Sequence, residues 1–330
     1  MEIDEKMEMD ELKPESEMKG LLGGDKPENE TQKVAATAPF LRSKDTTATL
    51  MKDVAFALVP AAAFGVYRFG FRAFLILLLS VTSCVLTEHI CKRIRKLPNG
   101  GYECSALVTG LILGMMLPLN VPYWFPVAGG VFAIGIVKML FGGLGRNWLN
   151  PAAAAKCLFL VLAGTVMHIS TKGYIVTWSE TPVSDLFFGF GVGMTGEVSV
   201  FLILLGGLYL VMCKVITLHT PVVYLVSFSA VLLLFGGHGA DMEWLAMQLC
   251  IGGVMLGAFF LTTDYSTSPM TKSGKILFGV LVGALTGVLR LWGFTVEAAA
   301  VAVLVGNLIV PLLDWLTLPK FFGKGKKGRK

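Results

Sequence analysis

Two polar loops interrupt this apolar chain, and their side chains could bind a cofactor or an ion. Residues 142–151 supply glycine backbone donors, one permanent cation and two amides just before Pro151, a residue suited to the first turn of a helix. Residues 262–275 supply a carboxylate and several hydroxyls. The candidate cofactor-binding residues in these loops are Arg146, Asn147 and Asn150, then Asp264, Thr267 and Ser268.

Each loop also has an ordinary structural interpretation. Arg146 could anchor a helix connection at the lipid headgroups, because arginine is common at that level. Asp264, Thr267 and Ser268 could instead cap the helix that follows them, because short polar side chains accept hydrogen bonds from the first free N–H groups of a helix. The sequence leaves both alternatives open.

Several charged residues lie inside or near the ends of apolar segments, where a charge is costly. Glu297 and Lys156, both in alanine-rich segments, are candidates for ion coupling or electrostatic tuning. Lys138, Arg290 and Asp314 lie near segment ends, so we expect them to anchor at the headgroups. The six cysteines stand singly without metal-ligand spacing, and we predict that this chain alone holds no metal.

Composition assigns the chain to a lipid environment. Over 330 residues, 54% are hydrophobic and 15% are charged, and the mean hydropathy is +0.69. One soluble core could not hide so much apolar surface, so a bilayer is the natural solvent. Residues 1–33 hold 11 of the 23 acidic residues and 5 of the 28 basic ones, which indicates a disordered acidic extension.

At about 20 residues for each membrane crossing, the apolar segments predict ten spans. Lys and Arg concentrate in alternate loops, so the positive-inside rule places both termini in the cytoplasm. An odd number of spans in each half means that the halves enter the membrane in opposite directions. The predicted spans are 52–69, 72–90, 103–118, 122–142, 151–169, 197–217, 220–236, 244–262, 275–292 and 296–316.

Short motifs in the two halves resemble each other and predict an inverted repeat. The alternative is that Gly and Ala recur in any helix bundle because small residues allow close packing. The third and eighth spans are interrupted by glycine, and broken helices often line a central pathway. The matched pairs are Gly110-Leu-Ile-Leu-Gly114 with Gly253-Val-Met-Leu-Gly257, Val137-Lys-Met-Leu140 with Val288-Leu-Arg-Leu291, and Asn150-Pro-Ala-Ala-Ala154 with Val296-Glu-Ala-Ala-Ala300.

We therefore expect an all-α, multi-pass membrane protein with about ten transmembrane helices in two inverted five-helix repeats. Its predicted parts are an acidic cytoplasmic extension (1–44), the first repeat (45–170), an outer loop (171–195), the second repeat (196–318) and a basic cytoplasmic tail (319–330).

A set of motifs in family order resembles the D subunit of the Rnf complex, a family that is similar to the B subunit of the sodium-translocating NADH:quinone reductase. The resemblance covers roughly residues 45–318. Its motifs are Phe141-Gly-Gly-Leu-Gly-Arg-Asn-Trp-Leu-Asn-Pro-Ala-Ala-Ala154, Thr181-Pro182, Gly196-Glu197, Leu204-Leu-Gly-Gly-Leu-Tyr209, Thr263-Asp-Tyr-Ser-Thr-Ser-Pro-Met-Thr271 and Gly306-Asn-Leu-Ile-Val-Pro311.

This resemblance implies a covalent FMN joined through a phosphoester to a threonine in the outer loop, at the position of Thr181. Trp178, Ser179 and Glu180 replace the small residues usual before the acceptor, and Thr177 and Ser179 are the fallback acceptors. The family also suggests a second flavin, riboflavin, at the loop that contains Asp264. The implied partners are the other membrane and peripheral subunits of an Rnf-type complex, a flavin transferase and the lipid bilayer.

The function that follows is that of a flavin-carrying subunit in an ion-pumping ferredoxin:NAD oxidoreductase of a bacterial or archaeal cytoplasmic membrane. Sodium and the proton both stay open as the coupling ion. The chain has no dinucleotide-binding fingerprint, so NAD and ferredoxin must be handled by partners, and we expect no nucleic-acid partner. The alternative function is a solute channel or transporter that uses the same inverted repeat without redox chemistry.

Overall fold

A computed structural model describes most of the chain beyond the acidic extension, and every regular element in the described part is helical. The predicted extension, the basic tail and Ser179 lie outside the described residues. Those residues are 46–96, 104–143, 145–167, 177–178, 180–191, 193–196 and 199–318.

The helices follow the order of the predicted spans, with one short helix, α6, in the outer loop. The second half of α4 (Phe132–Met139) and most of α10 (Gly257–Leu261) are wound as π-helix. The bounds are α1 Thr47–Phe69, α2 Phe71–Ile94, α3 Ser105–Met116, α4 Trp124–Met139, α5 Pro151–Leu162, α6 Val183–Phe188, α7 Val200–Met212, α8 His219–Phe235, α9 Met242–Cys250, α10 Val254–Leu261, α11 Lys272–Leu291 and α12 Ala298–Thr317.

In the described part of the chain, four helices are long and apolar enough to cross a membrane: α1, α2, α11 and α12. A fifth crossing is possible if α9 and α10, which meet at an angle of 66°, form one broken span. The other apolar helices, α3, α4, α5, α7 and α8, have fewer than 18 residues. The structure thus has a helix for each predicted span, but only four or five of them are long enough to be recognised as crossings.

Local chemistry explains where the helices begin and where the eighth span breaks. Asn150 accepts hydrogen bonds from Ala152 N (3.1 Å) and Ala153 N (3.2 Å), so it caps α5, and Pro151 occupies the first position as predicted. Gly252 and Gly253 have φ angles of +62° and +67°, a conformation that side chains other than glycine rarely adopt. This glycine pair therefore separates α9 from α10.

The outer surface of the bundle carries large apolar side chains, while many of the small and polar ones face inward. Phe56, Leu86 and Trp315 are well exposed, as expected for a surface that lipid covers. A Cβ atom on Gly110 would lie 2.6 Å from Val81 Cα, so this glycine lets α3 pack closely on α2. Gly110 thus serves packing, whereas its proposed repeat partner Gly253 lies at the helix break.

Candidate functional site

The two polar loops singled out in the sequence meet inside the bundle. Asn147 Nδ2 donates to Ser266 Oγ at 3.1 Å, and Asn150 Nδ2 lies 3.5 Å from Asp264 Oδ2. Asn147 and Asn150 are both 4% exposed. Because these pairs are more than 110 residues apart in the chain, the contact joins the first half of the protein to the second.

Asp264 organises its own turn rather than the following helix. Its Oδ2 atom accepts hydrogen bonds from Ser266 Oγ (3.0 Å) and Thr267 Oγ1 (3.1 Å). Thr271 caps α11 by accepting from Gly274 N at 2.9 Å, so the predicted capping by residues 264–268 is wrong. Burial raises the pKa of the Asp264 carboxyl, while the hydrogen bonds from Ser266 and Thr267 act in the opposite direction.

Asn307 of α12 connects the two loops from a third side. Its amide nitrogen donates to Val303 O (3.3 Å) and to Thr267 O (3.2 Å). Its amide oxygen accepts from Asn150 N at 2.9 Å. Asn307 is 1% exposed. The sequence analysis missed it as a site residue, although an amide in the middle of an apolar helix is a signal of interhelical hydrogen bonding.

Asn147, Asn150, Asp264 and Ser266 line a small central cavity of about 60 Å³, which is also lined by Ser105 and Lys138. Asn147 Oδ1 is buried and has no hydrogen-bond partner in the described part of the chain. A water molecule takes up about 30 Å³ of liquid volume, and ligand pockets usually have about 300–1,000 Å³. In this structure the cavity has room for a few waters or a small ion.

The remaining predicted binding residues are divided between two neighbouring cavities. One, of about 200 Å³, is lined by Arg146, Asn147, Thr267 and Asn307. The other, of about 220 Å³, is lined by Ser268. Arg146 itself is exposed, so it lies at the edge of the site and not within it.

Lys138 and Arg290 are buried, so their predicted role as headgroup anchors is wrong. Lys138 is 2% exposed, and its Nζ lies 3.0 Å from Glu88 Oε2 and 2.6 Å from Ser105 Oγ. Arg290 is 6% exposed and donates to Gln248 O and to the carbonyls at the break between α9 and α10. Both cations therefore satisfy buried polar groups.

Lys156 and Glu297 lie apart from the meeting point of the two loops. Lys156 is 1% exposed, and its Nζ donates to Val296 O at 3.2 Å, next to Met194 Sδ at 3.7 Å. Glu297 occupies the capping position of α12 without a side-chain capping bond and is 8% exposed. Their predicted role in ion coupling stays a prediction.

Thr181 lies within the predicted outer loop, five residues before the buried Leu186. It is half-buried, and its Oγ1 donates to Thr177 O at 2.7 Å. Trp178 is only 4% exposed and packs with Met194 and Val296, the two residues that Lys156 contacts. The bulk of Trp178 is thus packed into the protein.

Comparisons with known proteins agree with the motifs. Residues 34–323 match the family described as NQR2, RnfD, RnfE family. The chain is 36% identical over 318 residues to the D subunit of the Na(+)-translocating ferredoxin:NAD(+) oxidoreductase complex of Acetobacterium woodii, an alignment that covers 90% of this chain and 98% of that protein. It is 33% identical to the D subunit of the proton-translocating ferredoxin:NAD(+) oxidoreductase complex of Clostridium ljungdahlii, covering 87% and 95%. It is also 33% identical to the D subunit of the ion-translocating oxidoreductase complex of Stutzerimonas stutzeri, covering 85% and 93%. As its motifs predict, this chain belongs to the NQR2, RnfD, RnfE family.

Proposed function

We propose that this chain is the membrane-embedded D subunit of an ion-translocating ferredoxin:NAD oxidoreductase complex in a cytoplasmic membrane. The observation that carries this proposal is the polar centre that joins the two loops, formed by Asn147, Asn150, Asp264 and Asn307. Buried polar groups in a membrane bundle are costly and usually serve an ion or substrate pathway. The named relatives translocate sodium in one case and protons in another, so sodium and the proton both stay open here.

The proposal includes a covalent FMN on Thr181. The residues present fit this group, because the acceptor hydroxyl is half-buried and the bulky Trp178 beside it packs inward. When bound, FMN supplies transfer of one or two electrons. The chain's own contribution is to hold the phosphate on a loop that Trp178 fixes to the bundle. The buried ammonium of Lys156, which contacts the same packing residues as Trp178, adds a positive charge.

Fluorescence of the denatured chain tests this assignment. The full-length protein, produced in a host that has the flavin transferase, should give a band that fluoresces under ultraviolet light on a denaturing gel. Thr181→Ala should remove the fluorescence and leave the chain in the membrane fraction, because only the hydroxyl can form the phosphoester. Thr177→Ala is the matched control, since it removes a neighbouring hydroxyl but keeps the carbonyl that Thr181 contacts. A dark wild-type band would favour the transport alternative, and a bright Thr181→Ala band would refute the acceptor.

Three cavities are lined by residues of the loop that contains Asp264. The central cavity is about 60 Å³, and the two beside it are about 200 and 220 Å³, below the usual size of a cofactor pocket. Riboflavin binding therefore stays a prediction, and we assign no step to it. We propose that NAD and ferredoxin bind to other subunits of the complex.

We also propose that the ten predicted spans form two inverted repeats of five spans each. A duplicated contact supports this. Ser83 of α2 donates to Pro126 O of α4 at 3.2 Å, and a Cβ on Gly130, one turn later, would meet its Oγ. In the second half, Ser227 of α8 donates to Gly279 O of α11 at 3.3 Å, and a Cβ on Gly283, again one turn later, would meet its Oγ.

The buried cations offer a second duplicated contact. Lys138, near the end of α4, contacts Ser105 at the start of α3. Arg290, near the end of α11, contacts Gln248 in α9. Ser105 and Gln248 have the same spacing as the matched Gly110 and Gly253, and Arg290 lies one position beyond the residue matched to Lys138. Random recurrence of small residues does not account for a matched pair of cations, so these contacts favour duplication over packing alone.

The proposed topology places both termini in the cytoplasm and Thr181 outside. Single cysteines at positions 181 and 272, in a background without the six native cysteines, test this placement. An impermeant thiol reagent added to intact cells should label position 181 and spare position 272. Labelling of both positions from outside would refute the ten-span topology.

A further inference from the structure

A cavity of about 220 Å³ lies beside the polar centre, where α8 and α11 begin. Two lysines, Lys214 and Lys275, line it. The other polar groups on its wall are hydroxyls, those of Thr217, Thr220, Thr263, Tyr265 and Ser268.

Neither lysine is neutralised within the described part of the chain. The lysine ion pairs described there are those of Lys92 and Lys138 with Glu88, and none of the described carboxylates is paired with Lys214 or Lys275. Lys275 also lies in the first turn of the 20-residue α11, where the helix dipole adds positive potential. The cavity therefore concentrates positive charge and attracts an anion.

A buried hydroxyl on the cavity wall supplies a second, independent sign of a ligand. Thr220 is 2% exposed and lines the cavity, yet its hydroxyl makes no hydrogen bond to another described residue. The hydroxyl of Ser268 likewise has no such bond in the described part. Polar side chains of buried residues such as Thr220 normally have a hydrogen-bond partner. An anion held by the two lysines would accept hydrogen bonds from Thr220 and from the half-buried Ser268.

We propose that this cavity binds the phosphate group of a ligand, with Lys214 and Lys275 as charge partners and Thr220 and Ser268 as hydrogen-bond donors. The ligand is either an anionic phospholipid or a soluble phosphate ester. The cavity lies at the first turn of α11, a helix that is long and apolar enough to cross a membrane. It therefore lies at headgroup level, and basic pockets between membrane helices commonly hold anionic headgroups.

The test uses the full-length chain in a neutral detergent, titrated with dihexanoyl phosphatidylglycerol or with inorganic phosphate, and binding is followed by the shift in thermal unfolding temperature. Loss of one lysine should weaken binding about fivefold, and loss of both about 25-fold. The variants are Lys214→Gln, Lys275→Gln and the double variant. Lys272→Gln is the matched control, because Lys272 begins the same helix but is exposed and does not line the cavity.

Ser268→Ala tests whether the ligand binds in a specific pocket or is only attracted by the positive charge of the surface. It leaves the charge unchanged and removes one donor, so binding should still fall several-fold. Each variant should unfold at the wild-type temperature without added probe, which shows that the fold is intact.

The outcomes also distinguish the two sources of the phosphate. Binding of phosphatidylglycerol but not of inorganic phosphate supports the site with a lipid ligand. Competition between the two probes supports the site with a soluble ester. The proposal is overturned if neither probe binds, if the double variant binds within twofold of wild type, or if Lys272→Gln weakens binding as much as Lys275→Gln does.

Discussion

The ion pair between Lys138 and Glu88 makes an asymmetric prediction: removing the carboxylate should cost more stability than removing the ammonium. Lys138 is 2% exposed, and the polar partners of its Nζ are Glu88 Oε2 at 3.0 Å and Ser105 Oγ at 2.6 Å. Glu88 has a second cation, because its Oε1 lies 2.9 Å from Lys92 Nζ. Glu88→Gln therefore removes the carboxylate that directly contacts the buried ammonium, whereas Lys138→Met leaves the Glu88 carboxylate paired with Lys92.

The expected magnitudes follow from these partners. Breaking a buried ion pair and leaving one charge unpaired costs about 3–5 kcal/mol. At about 2 °C for each kcal/mol in a chain of this size, Glu88→Gln should lower the unfolding temperature by about 6–10 °C. Lys138→Met loses one hydrogen bond to Ser105 and should cost about 1–2 kcal/mol. The double variant leaves no unpaired charge, so it should unfold near the temperature of Lys138→Met.

Thiol exposure gives a direct assay of unfolding. Cys84 is a buried free cysteine in α2. In a full-length background in which the other five cysteines are replaced, a maleimide dye that fluoresces on reaction reports the loss of packing around Cys84 on heating in detergent. Two results would refute the reasoning. One is an unfolding temperature for Glu88→Gln within 2 °C of wild type, well below the roughly 6–10 °C expected. The other is a double variant that is less stable than Glu88→Gln.

Three further predictions follow from single contacts. Arg290→Met should destabilise the break between α9 and α10 by at least about 2 kcal/mol, because the buried carbonyls there lose their hydrogen-bond donor. Amide hydrogen exchange in residues 250–256 should become faster, and unchanged exchange would contradict this prediction. Gly283→Ala should lower the free energy of unfolding by about 1–3 kcal/mol, because the new Cβ would lie 2.1 Å from Ser227 Oγ. Gly135→Ala is the control: its Cβ would have its nearest contact at 3.5 Å, so it should be close to neutral in the same unfolding assay. Burial raises the pKa of Asp264 in the folded protein, so its contribution to stability is greatest at low pH and is lost as pH rises through the folded pKa. Asp264→Asn should therefore gain stability relative to wild type as pH rises from about 4 to 7, and a difference in unfolding temperature that does not change with pH would contradict this.

Features set by neighbours in the chain could be predicted from the sequence. The start of α5 at Asn150 and Pro151 is one example, because the cap and the fixed φ of proline act within three residues. The break at Gly252 and Gly253 is another, since the left-handed backbone requires glycine there.

Features set by distant partners could not be predicted. Lys138 and Arg290 look like headgroup anchors because each lies near the end of an apolar segment. Their actual partners, Glu88 and the carbonyls of Ile251 and Gly252, lie about 40 to 50 residues away. The expected helix-capping role of Asp264 was wrong for a different reason. A carboxylate that precedes a helix can accept hydrogen bonds either from the first N–H groups of the helix or from its own turn, and the local sequence does not decide between the two.

The polar side chains inside this bundle follow one physical rule. Helices that begin or break within an apolar layer leave backbone N–H and C=O groups unpaired, and lipid cannot pair them. Asn150 supplies acceptors at the start of α5, Arg290 supplies donors at the break before α10, and Lys156 donates to the carbonyl before α12. These side chains make it possible for short helices to end inside the bundle.

Asn147 differs from this group and therefore marks the place for an ion or water. Its Nδ2 pairs with Ser266, but its Oδ1 is buried, lacks a partner in the described part of the chain and belongs to a side chain on the wall of the central cavity. Burial removes the hydrogen bonds that this oxygen would make to water, and no protein donor in the described part replaces them. This costs free energy unless a bound water or ligand donates to the oxygen. The Asp264 carboxylate, which already accepts hydrogen bonds from Ser266 and Thr267, and the Lys138 ammonium line the same cavity, so a chain of waters would satisfy the Asn147 oxygen. That is the property a membrane protein needs if an ion is to pass between its two halves.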